Sequence, residues 1–132
     1  MGIISGFDHI CIVTDDIDRS VDFYTRLLGF TFGHRETVDV AGVEVAAVSL
    51  GAVTVEFVRF TDGRENVTGD GVVEMLGFAT DDIFAAIDVL RGEGVEFVGE
   101  PVRVGEDDWF AVFRGPSGEK LELTQRQLTV ND

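Results

Sequence analysis

Lysine is almost missing from this sequence. Lys120 is the only one in 132 residues, and ten basic residues face 25 acidic ones, for a formal charge of −15. A surface with that balance repels phosphate, so DNA and RNA are excluded as expected partners. It attracts cationic ligands and keeps a protein dissolved in concentrated salt, although the lysine shortage reads first as a bias of the source organism. Cysteine is just as scarce. Cys11 stands alone, which rules out an internal disulfide and makes a reducing cytoplasm the expected compartment. No apolar run approaches the ~20 residues that span a bilayer, so no membrane partner is expected. The opening MGIISGFDH lacks the basic and long apolar segments of a secretory signal. Gly6 breaks the myristoylation pattern that Met-Gly begins.

What is present is enough for one packed core. Hydrophobic residues make up 45% of the chain, the proportion of a globular protein, and the length fits a single domain over 1–132. Two segments resemble each other: DHICIVTDDI at 8–17 and EMLGFATDDI at 74–83. Each is a β-rich run that ends in T-D-D-I and leads into a helical pattern. Asp16 or Asp18 caps the first helix, where Ile17, Val21, Tyr24 and Leu28 recur at helical spacing before Gly29. Asp82 caps the second, with Ile83, Ile87 and Leu90 as its stripe. Three strands are expected after each helix: FTFGHRETV, VEVAAVSL and VTVEFVRF, then GVEFVGEPVRV, WFAVFRG and KLELTQ. The polar, glycine-rich 61–71 reads as a linker between modules at about 5–60 and 72–126. The fold class is therefore α+β, with two β-α-β-β-β modules.

One offset runs through the repeat. Met75 follows His9 by 66 residues, and LEL at 121–123 follows VEF at 55–57 by the same 66. Strand side chains alternate between faces. Ile10 and Ile12, then Val53, Val55 and Phe57, then Leu121 and Leu123 form apolar faces suited to the two helices. His9, Glu56 and Glu122 are left on the opposite face, which lines a cavity if the sheet is curved. An imidazole with two carboxylates suits a divalent metal.

These residues resemble the vicinal oxygen chelate superfamily, which includes glyoxalase I, methylmalonyl-CoA epimerase, extradiol dioxygenases and bleomycin-resistance proteins. The resemblance runs from Phe7 to about Gln125. It is carried by DHICIVTDDIDRSVDFYTRLLGF and by FRGPSGEKLELTQ, where Gly115 and Ser117 replace the usual two aspartates of the turn. It implies a cupped, eight-stranded mixed sheet with helices on its outer face, and a homodimer. It also implies metal ligands at His9, Glu56, residue 75 and Glu122. Three of the four match. The fourth, Met75, is a soft thioether unsuited to the Mn, Ni, Co, Zn or Mg expected here, and it becomes a pocket wall together with Cys11 and Trp109. Missing the second histidine also argues against an extradiol dioxygenase.

The pattern is nearest to the glyoxalase I and methylmalonyl-CoA epimerase branches, but the extra carboxylate base of the epimerases falls at Val45, with Glu44 facing away. Two functions follow as expectations. One is a metal-dependent lyase or isomerase that polarises a carbonyl of a small molecule or thioester, with Glu122 or Glu56 as the base. The other is a non-catalytic, resistance-type protein that binds a small molecule or antibiotic beside a degenerate metal site. His34 is expected as a surface histidine. Of Trp109 and Phe110, one is expected in the core and the other in the pocket.

Overall fold

The computed structural model describes residues 2–66 and 69–126. Its elements run in the order β1 (Gly6–Val13), α1 (Ile17–Asp22), β2 (Thr31–Val38), β3 (Val43–Leu50), β4 (Val53–Phe60), β5 (Val73–Ala79), α2 (Ile83–Gly92), β6 (Phe97–Val104), β7 (Asp108–Arg114) and β8 (Lys120–Gln125). Each half of the chain is thus β-α-β-β-β. Hydrogen bonding orders the strands β2-β3-β4-β1-β5-β8-β7-β6 in one sheet. The sheet is mixed, because β1 pairs with β4 in parallel while β2, β3 and β4 pair antiparallel. The α+β class and its eight strands are as expected. Contacts divide the chain into two compact units, residues 9–76 and residues 1–8 with 77–132.

In the 9–76 unit, α1 covers one face of the strands. Ile17 is buried with Ala46, Val48, Val55 and Phe57, and Ile12, Val21, Tyr24 and Phe30 close around them. Even-numbered residues of β3 and odd-numbered residues of β4 build this layer, as strand alternation requires. Burying Phe57 alone contributes about 1.5–3 kcal/mol. Asp16 is the cap: its carboxylate accepts the Arg19 N–H at 3.0 Å. The helix then differs from the regular stripe read from sequence. After Asp22 it widens into a π-helical turn over Phe23–Leu27, and the Leu28 N–H donates to the Phe23 carbonyl at 3.3 Å. The extra residue in that turn rotates Leu27 and Leu28 off the packed face, and both are exposed. Tyr24 stays inward, its ring 4.9 Å from that of Phe57.

The 77–132 unit is built alike. Ile83, Ala86 and Ile87 of α2 are buried with Ala111, Phe113 and Leu123. Asp82 accepts the Ala85 N–H at 3.1 Å, and Gln125 Oε1 accepts that of Ile83 at 2.7 Å. The two outermost strands each carry a break in register. In β2 it falls at Gly33, where an added Cβ would meet the Ala47 carbonyl oxygen at 3.2 Å. In β6 it falls between Val98 and Val102, a stretch that holds Gly99 at φ 78° and Pro101. Proline is tolerated there because an outer strand needs fewer ladder donors.

Candidate metal centre

The strand face that α1 leaves uncovered carries polar groups at two points. On β1, His9, Cys11 and Val13 are buried in alternation with half-buried Ile10 and Ile12. The parallel register sets Cys11 beside Glu56 of β4, whose neighbours Val55 and Phe57 point to the helix. His9 is only 3% exposed, and its Nδ1 lies 3.7 Å from Glu56 Oε2. That separation exceeds a direct N–H···O hydrogen bond. It suits two groups that turn toward one shared cation, since metal–ligand bonds of about 2.0–2.2 Å hold adjacent ligand atoms roughly 3 Å apart. The preceding residue of β1 extends the group. One ligand atom each from Asp8, His9 and Glu56 lies within 4.8 Å of the others. Asp8 also receives Arg126 through two contacts, from Nε at 3.2 Å and Nη2 at 2.8 Å.

Met75 lies on this uncovered side, packed with Phe60 and Val43 against buried Cys11, Val45 and Val58. Its neighbour Glu74 therefore faces the other way by alternation. Val45 of β3 stands on this side with Cys11 and Val58, and Glu44 is turned to the opposite face. Glu44 is held there by Arg35 Nε at 2.9 Å and Arg59 Nη2 at 3.1 Å, while Arg35 also reaches Asp18 of α1. The Arg35 hydrogen bond, aided by Arg59 and opposed by partial burial, lowers the Glu44 pKa. Glu44 is thus engaged by two guanidinium groups on the helix side of the strands.

Glu122 lies in the other unit, buried on β8, where it accepts a hydrogen bond from Thr124 Oγ1 at 3.2 Å. Trp109 departs from expectation. Pairing opposite Gln125 puts it in phase with Ala111 and Phe113, so it packs on the core under α2, its ring 5.0 Å from that of Phe84. Alternation gives the opposite face to Phe110, and Trp109 is a helix-side residue instead of a pocket wall. His34 is exposed beside Glu36 at 3.4 Å. Asp8 was missed in the sequence, although it directly precedes His9. Its acidity gave no reason to expect a strand residue to bend toward its neighbour's partner.

The sequence profile of the Glyoxalase/Bleomycin resistance protein/Dioxygenase superfamily matches residues 6–123. The chain belongs to that superfamily. Similar proteins include the uncharacterized YwbC of Bacillus subtilis (strain 168), 27% identical over 131 residues, covering 90% of this chain and 96% of YwbC. Lactoylglutathione lyase GLX1 of Arabidopsis thaliana is 25% identical across 91% of this chain, which spans only 44% of that longer protein. Among solved structures, Streptomyces coelicolor methylmalonyl-CoA epimerase in complex with 2-nitronate-propionyl-CoA is 26% identical with a TM-score of 0.81, covering 95% of this chain and 99% of the epimerase.

Proposed function

We propose that this chain is a glyoxalase- or epimerase-like isomerase or lyase, acting on the carbon beside a carbonyl in a small molecule or thioester. The observation that carries the reading is the buried His9 imidazole 3.7 Å from Glu56 on the strand face without a helix. Likeness to a lactoylglutathione lyase and to a methylmalonyl-CoA epimerase supports the reaction class. His9 and Glu56 fit a divalent ion in distance and chemistry, and Glu122 is a further candidate ligand on sequence grounds, because it repeats Glu56 at the 66-residue offset. A divalent ion bound there supplies Lewis-acid polarisation of the carbonyl oxygen. Glu56 or Glu122 accepts the proton released from the neighbouring carbon. Met75, with Cys11, Val45 and Val58, presents an apolar wall that excludes water from the reacting carbon. A cytoplasmic homodimer completes the proposal.

Metal analysis of protein purified without chelator or affinity metal tests the reading. About one divalent ion per chain is expected, lost in His9→Ala and Glu122→Ala, together with metal-dependent exchange of the α-proton of methylmalonyl thioesters in D2O. Protein that takes up no Mn, Ni, Co, Zn or Mg, yet binds a small molecule, would instead support the resistance-type reading. The apolar Met75 wall favours that alternative.

A further inference from the structure

We propose, resting on the isomerase-or-lyase reading above, that the substrate is a small carbonyl compound that carries no phosphate. An acyl-CoA of the kind held by the Streptomyces coelicolor epimerase is then not the preferred substrate. The basis is the set of lysine and arginine side chains, all ten of which lie in the described residues. Six arginines are already paired with the chain's own carboxylates. Arg26 meets Asp22 at 3.0 Å, Arg64 meets Asp62 at 3.1 Å, Arg126 meets Asp8 at 2.8 Å and Arg19 meets Asp70 at 3.7 Å. Arg35 and Arg59 share Glu44. The remaining three are turned to neutral acceptors. Arg103 donates to the Glu106 carbonyl at 2.7 Å, Arg114 donates to that of Gly118 at 2.9 Å, and Arg91 sits 5.2 Å over the Phe97 ring. The one lysine, Lys120, is also engaged.

The second common cradle for phosphate is a helix N-terminus, whose free N–H groups point at the anion. Here each already faces acceptors from the chain itself. The Asp16 carboxylate takes the Arg19 N–H of α1 and Asp18 sits in its first turn, while Asp82 and Gln125 take the Ala85 and Ile83 N–H groups of α2. A nucleotide handle brings several phosphate charges. To hold them, this chain would have to strip an arginine from a carboxylate, or draw Arg91, Arg103 or Arg114 away from the ring or carbonyl that each already meets. The field of a molecule at −15 adds to this penalty by slowing the approach of any polyanion. A thioester or ketone with an uncharged handle meets neither obstacle.

Two substrates with the same reacting carbon separate the possibilities: methylmalonyl-CoA and methylmalonyl-N-acetylcysteamine. Their α-proton exchange is followed by NMR with the metal-loaded wild-type protein, from about 20 mM to about 0.5 M salt. The expected result is a kcat/KM at least about tenfold higher for the N-acetylcysteamine thioester at low salt, with the gap narrowing as salt rises. Equal or better turnover of the CoA thioester at low salt would overturn the substrate class and leave the reaction standing. Exchange of neither compound would sink the functional reading, and direct binding then decides the matter of phosphate. Coenzyme A titrated by calorimetry is expected to give no binding up to ~1 mM, whereas a Kd below ~0.1 mM overturns the proposal.

Discussion

The two repeats start identically and then part. Asp16 and Asp82, 66 residues apart, cap their helices with the same backbone angles, φ −143° and ψ 94°, and the same acceptance of an N–H three residues on. Beyond the caps, α2 runs ten regular residues, whereas α1 has six and finishes in a π-helical turn. On the first strand of each repeat, a buried histidine faces a carboxylate in one case, and a methionine sits among apolar side chains in the other. The caps hold each helix to its strands and are under the same physical demand in both repeats. The strand residue meets whatever the open face meets, and there the demands differ.

That difference is open to direct attack. The largest effect is expected from His9→Ala against Met75→Ala: the first should lose bound metal and lower α-proton exchange by about 10²-fold or more, while the second keeps its metal. Equal metal loss in both would erase the asymmetry. Next, Phe57→Ala should cost about 3–5 kcal/mol in denaturant unfolding, because its buried ring supports Tyr24 at the π-helical turn. Leu28→Ala, on the exposed side of that turn, should stay within about 0.5 kcal/mol. Asp16→Ala and Asp82→Ala come third, at about 1 kcal/mol each. Similar values would confirm that the caps do equal work, and a marked inequality would tie one of them to more than its helix.

The smallest expected effect lies in the acid range. The Glu44 pKa is lowered on folding, so its contribution is present above the ordinary carboxylate pKa and is lost as pH falls through the lower folded value. Asp22 and Asp62 shift in the same direction through Arg26 and Arg64. Thermal melts of Arg35→Gln and wild type should therefore differ most at neutral pH and converge at strongly acid pH. A gap that widens on acidification would contradict the pairing.

Much of this was legible in the chain because it depends on periods and local chemistry. Alternation assigned Val55 and Phe57 to the helix side and His9, Cys11 and Glu56 to the other, and the residues around T-D-D-I marked Asp82 as one cap and Asp16 or Asp18 as the other. What escaped depends on contacts that no local period encodes. The π-helical turn leaves the same apolar letters in place while changing which of them face inward. Trp109 is amphipathic enough for either face, and only its phase with Ala111 and Phe113 decides. The Asp18–Arg35–Glu44–Arg59 chain of charges joins α1, β2, β3 and β4, residues far apart in sequence, and no spacing rule would have linked them.

The breaks in register at Gly33 and at Gly99 sit on the two strands that, among the described residues, have a neighbour on one side only. An unbroken outer strand is a template on which further copies can stack through main-chain bonds. Here both templates are interrupted, one by a bulge followed by His34, Arg35 and Glu36, the other by a bend that ends in Pro101. Crowded copies of this chain therefore find no continuous ladder to extend, and growth toward fibrils stops at the rim of each molecule.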